Sequence, residues 1–162
     1  MLIQILQKTP IWVWALLAGL VALGYSQTRT RVVSLKRTVL MPMGMMALSL
    51  YGTVSVFGAT AATLGPWLLA CAAMASLLCL QTTPAGTRYN FITRSYDLPG
   101  SWLPMGVILA IFLTKYAVGV SLSMQPSLVH DLVFSTTISL FYGLFSGFFA
   151  GRALRLWRLA TV

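Results

Sequence analysis

Few side chains in this sequence are suited to chemistry. The acids are Asp97 and Asp131, the histidine is His130, and the cysteines are Cys71 and Cys79. A single histidine excludes two-histidine haem ligation and a histidine-rich metal site within one chain. The two cysteines would lie about 12 Å apart along a helix, which is too far for a disulfide bond. These residues predict no catalytic site, no metal and no cofactor, and they favour a protein that is not an enzyme.

Arginine is the residue type that offers a binding chemistry. The chain has 11 Lys and Arg against 2 acids, and its formal net charge is +9. A guanidinium group presents a planar fork of donors that matches phosphate and carboxylate oxygens. The alternative is that the arginines fix the orientation of the chain and anchor an aromatic-rich loop among headgroups. We predict contacts with anionic lipid headgroups, or with another anionic ligand, at Arg29, Arg31, Arg37, Arg88 and Arg94.

Lys115 lies within an apolar run. A charge there costs at least about 2–3 kcal/mol unless it pairs or reaches the membrane surface. Asp131 is the acid expected on the same side of the membrane, close to the short loop after that run. An intramembrane ion pair between Lys115 and Asp131 is the sharper hypothesis. The alternatives are that the lysine extends to the outer interface or serves an ion path.

Three glycines, Gly143, Gly147 and Gly151, recur at every fourth position near the end of the chain. This GxxxGxxxG stripe makes a flat surface against which another helix can pack closely. The sequence therefore predicts a helix-packing site, and the partner helix could belong to the same chain or to another subunit.

Membrane-spanning helices must position these residues. Hydrophobic residues make up 58% of the chain and charged residues 8%, whereas a typical soluble domain is about 25% charged. So few charges exclude an ordinary soluble enzyme, a disordered chain and a nucleic-acid-binding domain. Five apolar runs are long enough, or nearly so, to cross about 30 Å of hydrocarbon as helices. We predict an all-α fold, a single transmembrane domain over residues 1–162 with a cytoplasmic loop at 82–101 and five spans at 10–26, 39–57, 64–81, 102–122 and 129–150.

Helix-start signals mark the expected boundaries of these spans. Proline is tolerated in the first turn of a helix and disfavoured in its interior. Pro42 is therefore expected in the first turn of the second span. Ser127 is the expected N-cap of the fifth span, which would place Asp131 in its first turn.

Positive charge sets the orientation, because lysine and arginine are retained on the cytoplasmic side. With five spans, the face that holds the N-terminus carries Lys8. An alternative is that residues 1–24 are a cleaved signal peptide, with Ala22-Leu23-Gly24 as the cleavage site. The predicted orientation in a bacterial inner membrane is N-terminus outside and C-terminus inside, since the opposite face carries Arg29, Arg31, Lys36, Arg37, Arg88, Arg94, Arg152, Arg155 and Arg158.

The stretch from Thr28 to Arg37 is basic, follows the first span closely and leads into Met41-Pro42-Met43. In a chain of this size it resembles small multi-pass bacterial inner-membrane proteins of uncharacterised families. It also looks distantly like a small membrane protein associated with cytochrome c biogenesis operons. The resemblance covers roughly residues 1–60, and it brings no established activity, cofactor or catalytic residue.

The leading functional prediction is a non-enzymatic integral membrane protein, either an accessory subunit or a lipid-interacting scaffold. Its expected partners are membrane lipids with anionic headgroups, and a second copy or another membrane protein; no nucleic acid is expected. One alternative is an oligomeric small transporter or channel, which would need several polar groups inside the spans. A third is a membrane enzyme that acts on lipid headgroups at the arginine-rich face.

Overall fold

The computed structural model describes residues 10–82, 86–90, 92 and 95–161. Most of this part of the chain is helical, which confirms the predicted all-α class. The elements, in chain order, are α1 (Ile11–Ser26), β1 (Arg31–Ser34), α2 (Leu35–Phe57), α3 (Ala61–Leu80), β2 (Arg88–Asn90), β3 (Ser95–Leu98), α4 (Leu103–Met124), a 3₁₀ helix (Pro126–His130) and α5 (Leu132–Thr161).

Four of the described helices, α2 to α5, are long and apolar enough to cross a membrane. Helix α1 is apolar too, but it has 16 residues. That length gives about 24 Å of helix against about 30 Å of hydrocarbon. The described residues thus contain four membrane-length helices. The span predicted at 10–26 coincides with the shorter helix α1.

The second span begins earlier than the sequence predicted. Helix α2 starts at Leu35 because Ser34 caps it, and the Ser34 hydroxyl accepts a hydrogen bond from the Arg37 N–H at 3.4 Å. Pro42 consequently lies inside the helix, about two turns from its start, and not in the first turn. The prediction followed the apolar residues alone, whereas the helix also takes in the basic and polar segment at 36–38.

The last helix differs from its prediction at both ends. Asp131 follows the 3₁₀ helix, and its carboxylate accepts a hydrogen bond from the Phe134 N–H at 2.7 Å. The cap of α5 is therefore Asp131 and not Ser127. At its other end α5 continues to Thr161, well past the predicted end at 150. Its 30 residues measure about 45 Å, which exceeds the roughly 30 Å thickness of a hydrocarbon core.

The chain forms two compact units. The first comprises Met1–Thr30 and Gly100–Pro126, and it contains α1 and α4. The second comprises Arg31–Pro99 and Ser127–Val162, and it contains α2, α3, α5 and all three strands. The arginine-rich segments that carry the functional predictions therefore divide between two separate units.

In the first unit, α1 packs closely against the start of α4. A Cβ atom on Gly24 would lie 2.9 Å from the Met105 Cγ atom, so a larger residue would displace the Met105 side chain or the helices. The segments before α4 and after α1 are joined by a backbone hydrogen bond from Ser101 to the Gln27 carbonyl, at 3.1 Å. The two helices are thus fixed to each other at this end.

In the second unit, the three glycines of α5 lie against α3. A Cβ atom on any of the three glycines would crowd a backbone carbonyl of α3. The crowded carbonyl is that of Trp67 for Gly143, that of Cys71 for Gly147 and that of Ala75 for Gly151. Both series advance by four residues in the same direction, so the two helices run parallel.

Hydrogen bonds join α2 to both of these helices. The Ser49 hydroxyl donates to the Tyr142 carbonyl of α5 at 3.1 Å, and the Trp67 indole N–H of α3 donates to the Ser49 oxygen at 3.2 Å. Further along, the rings of Phe57 and Phe134 lie 6.0 Å apart, centroid to centroid. These contacts run in opposite directions along the two helices, so α2 is antiparallel to α5. Interhelical hydrogen bonds in membranes contribute about 0.6 kcal/mol each on average.

A three-stranded antiparallel sheet, in the order β1–β3–β2, joins the basic segment before α2 to the long connection after α3. Its register places Val32 and Arg88 opposite Asp97, and Val33 and Tyr89 opposite Tyr96. The sheet was not predicted, because strands of three or four residues carry too little periodicity to be recognised. It fixes the start of α2 against the long connection after α3.

The glycine contact leads to a first prediction. Gly147→Ala should lower the stability of the protein in detergent by about 1–3 kcal/mol, because the added methyl group crowds the Cys71 carbonyl. Gly44→Ala is the matched control, since a Cβ atom on Gly44 has open space around it. That change should leave the melting temperature equal or slightly higher. Equal melting curves for the two variants would contradict the packing argument.

Candidate anionic-ligand site

The sheet packs one face against the end of α5. Tyr96, Leu98 and Leu156 form a buried cluster, and Val33 and Tyr89 pack against it. Tyr96 is 0% exposed, and the centroid of its ring lies 4.8 Å from that of Tyr89. This cluster fixes the strands against the last turns of α5.

The alternation of side chains along the strands decides which arginines face α5. Successive residues of a strand point to opposite faces, so Arg31 shares the inward face with Val33. Arg88 and Asp97 are cross-strand neighbours on the outward face. Burial, and then the positive charge of Arg37, lower the pKa of the Arg31 guanidinium from its ordinary value. The inward face therefore brings a partly desolvated positive charge towards α5.

Helix α5 contributes two more arginines close to Leu156. Arg152 lies one turn before Leu156, and Arg155 lies three residues after Arg152, so their side chains are neighbours on the helix surface. Arg152 is repelled by the positive charges of both Arg31 and Arg155. These three residues, which we call the arginine cluster, gather where β1 meets the end of α5.

Backbone carbonyls at the end of α3 hold two of the α5 arginines. The Nη1 atom of Arg155 donates to the Thr82 carbonyl at 3.4 Å, and that of Arg158 donates to the Cys79 carbonyl at 3.3 Å. Carbonyl groups at the C-terminus of a helix carry a partial negative charge, which favours a nearby cation. These contacts orient the side chains, but a partial charge does not neutralise a full one.

Three buried polar atoms in the sheet segments and the last turns of α5 have no hydrogen-bond partner among the described residues. They are the hydroxyl oxygens of Thr87 and Tyr96 and the Nε atom of Arg155. Burial, and then the neighbouring Tyr89, raise the pKa of Tyr96, so its phenol is neutral at pH 7 and able to donate. A buried donor without an acceptor costs about 1–3 kcal/mol. An anionic ligand at this contact would supply acceptors.

The structure brings together a different set of arginines from the predicted one. Arg29 lies in the first unit, where its guanidinium carbon is 5.4 Å from the centroid of the Tyr25 ring. Arg88 is exposed on the outward face of the sheet, and Arg94 lies outside the described residues. Of the predicted anion contacts, Arg31 joins the arginine cluster, and Arg37 acts on it through its charge.

The sequence indicates Arg152 and Arg155 only as orientation signals. Their spacing of three residues, with Leu156 one turn after the first, was the available sign that they share a helix surface. The surface that faces them comes from β1 and β3, which lie far away in the chain. Pairing of segments so distant in sequence leaves no local pattern, so the cluster could not be assembled from the sequence.

Lys115 and Asp131 lie in different units. Lys115 belongs to α4 of the first unit, and Asp131 precedes α5 of the second. The ion pair between them stays a prediction. In the part of the chain that the structure describes, no three His, Cys, Asp or Glu side chains gather into a group that could hold a metal ion.

The capping contact of Asp131 leads to a second prediction. Asp131→Ala should lower stability by about 0.5–2 kcal/mol because the Phe134 N–H loses its acceptor. Asp131→Asn keeps an oxygen at this position and should cost less. The measurement is thermal unfolding in detergent, and equal losses for the two variants would contradict the capping role.

Combining Asp131→Asn with Lys115→Met tests the ion pair, because a coupling energy of zero would exclude it.

Comparison with known proteins identifies the family of this chain. No curated protein and no solved structure matches it significantly. The model of one family, described as a family of unknown function (DUF6622), matches residues 1–162. This match confirms the prediction of an uncharacterised family. The chain belongs to the family of unknown function DUF6622.

Proposed function

We propose that this chain is a non-enzymatic integral membrane protein, an accessory subunit or scaffold that holds anionic lipid headgroups at one end of its second unit. Four membrane-length apolar helices support the membrane location. The arginine cluster supports the lipid contact, because its charge gathers where the long apolar helix α5 ends. The membrane is a bacterial inner membrane in this proposal.

One observation supports the lipid contact: the sheet packs against the end of α5, where the charges of Arg31 and Arg155 both act on Arg152. Anionic headgroups are the abundant anions at the cytoplasmic surface of a membrane, and each nearby Lys or Arg is worth about 1 kcal/mol of attraction. The acids of the chain are placed elsewhere. Asp131 lies at the opposite end of α5, and Asp97 lies on the sheet face turned away from it.

The proposed topology has five spans, with the N-terminus outside and the C-terminus inside. Helix α1 is the first of these five spans. The charge asymmetry of the loops supports this orientation. It places the sheet and the arginine cluster on the cytoplasmic side, where anionic lipids produce a negative surface potential.

Retained lipids provide the test of the proposed function. The full chain is extracted from bilayers with equal amounts of phosphatidylglycerol and phosphatidylethanolamine, and its bound lipids are counted by native mass spectrometry. We expect phosphatidylglycerol to be enriched at least about threefold, since one charge contact of about 1 kcal/mol corresponds to roughly a fivefold preference. Replacing Arg152 and Arg155 by Gln should remove most of this enrichment. Equal retention of the two lipids by the parent protein would overturn the proposal.

The orientation has its own test by cysteine labelling. Single cysteines replace the exposed Val32 of β1 and the exposed Gln125 after α4, in a background with Cys71 and Cys79 changed to Ala. A membrane-impermeant maleimide applied to intact spheroplasts should label position 125, and position 32 should react after the membrane is opened. Labelling of both positions from the same side would contradict the five-span topology.

A further inference from the structure

We infer that the arginine cluster binds a terminal phosphate, as a phosphomonoester or a diphosphate, in preference to the phosphodiester of ordinary anionic lipids. This inference rests on the proposed function and specifies the headgroup that the same site takes. A phosphomonoester carries about −1.5 to −2 charge at pH 7 and three strong acceptor oxygens. A phosphodiester carries a single charge and has two unesterified oxygens.

Charge is the first reason for this preference. Arg31, Arg152 and Arg155 bring three positive charges to one contact, and Arg152 experiences the repulsion of the other two. A single negative charge would leave most of this repulsion in place. A dianionic phosphate balances it more completely, and charge-assisted hydrogen bonds from guanidinium groups to phosphate are about twice as strong as neutral ones.

The arrangement of the donors is the second reason. Arg152 and Arg155 approach from one helix, whereas Arg31 approaches from a strand that packs against the same helix end. Donors that converge from two elements match a group whose three oxygens point in different directions. The Nη1 atom of Arg155 donates a hydrogen bond to the Thr82 carbonyl. The buried Nε atom of the same side chain has no hydrogen-bond partner among the described residues.

The buried hydroxyl of Tyr96 adds a neutral donor to this region. It is 0% exposed and makes no hydrogen bond within the part of the chain that the structure describes. Its ring belongs to the cluster that holds Leu156, the residue next to Arg155. The contact between sheet and helix thus contains a buried donor besides the charged ones, which is unusual for a surface that sets topology alone.

The test compares two lipids that differ in their phosphate. The full chain in detergent is titrated with dihexanoyl phosphatidic acid and, separately, with dihexanoyl phosphatidylglycerol, and binding is measured by native mass spectrometry. We expect phosphatidic acid to bind about tenfold more tightly. Equal affinities for the two lipids would overturn this inference while leaving the proposed function intact, because that function is tested against a zwitterionic lipid.

Two variants show whether the arginine cluster sets this preference. Arg152→Lys keeps the charge but loses the planar fork of donors, so the affinity ratio should fall at least about threefold. Lys36→Gln is the control, because it removes a positive charge from an exposed position at the start of α2. It should leave the ratio unchanged. An equal fall in both variants would overturn the assignment of the site.

A pH series needs no variant and keeps the inference testable if Arg152→Lys fails to fold. The second pKa of a phosphomonoester is about 6, so the preference for phosphatidic acid should shrink as the pH falls from 7 to 5. The protein groups at or beside the contact are Arg31, Tyr96, Arg152 and Arg155, with Lys36, Arg37 and Cys79 on the adjoining helices. The ordinary pKa values of arginine, lysine, tyrosine and cysteine side chains lie above this range, so the phosphate is the group expected to change its charge. A preference that stays constant with pH would overturn the inference.

The source of the phosphate follows from competition with inorganic pyrophosphate. If pyrophosphate displaces bound phosphatidic acid at similar concentrations, the site takes a free phosphate compound. If phosphatidic acid binds tightly and pyrophosphate does not displace it, the ligand is a lipid whose acyl chains contribute to binding. Both results require the terminal phosphate that the inference names.

Discussion

The second unit depends on the close contact between α3 and α5. This contact exists because Gly143, Gly147 and Gly151 leave the α5 backbone bare where the α3 carbonyls approach it. Apolar side chains gain little by leaving lipid, so close backbone packing is a principal source of helix association in a membrane. Because the two helices run parallel, this packing also brings the end of α3 beside the basic turns of α5. The carbonyls that hold Arg155 and Arg158 are therefore positioned by a glycine contact whose nearest member, Gly151, lies about one turn before Arg155.

Helix α2 is placed by a different interaction. Ser49 links it to both α3 and α5, through the Trp67 indole and the Tyr142 carbonyl. With α2 antiparallel to α5, its first residues return to the end where α5 terminates. Strand β1 leads directly into that helix start, capped by Ser34. The orientation of Arg31 thus depends on the Ser49 hydrogen bonds, which place α2, and on the alternation of side chains along β1.

The two ends of α5 use charge in different ways. At its start, Asp131 accepts a backbone hydrogen bond, and a negative charge there is favoured by the helix dipole. At its far end, Arg152 lies within the influence of the positive charges of Arg31 and Arg155, and the sheet packs against this part of the helix. The first arrangement is satisfied within the chain. The second is suited to an anion from outside it, which is why the proposed function lies at that end.

Composition and local pattern were enough to give the all-α class. The apolar runs, the few charges and the glycine stripe are local or compositional properties, and they indicate four helices long and apolar enough to span a membrane, together with the shorter helix α1. Helix ends were predicted less well: Ser34 and Asp131 act as caps through single hydrogen bonds that apolar length does not reveal. The arginine cluster was decided by tertiary structure, because it needs β1, β3 and α5 side by side. Strands so short pair through long-range packing around Tyr96, and no pattern within either segment encodes that contact.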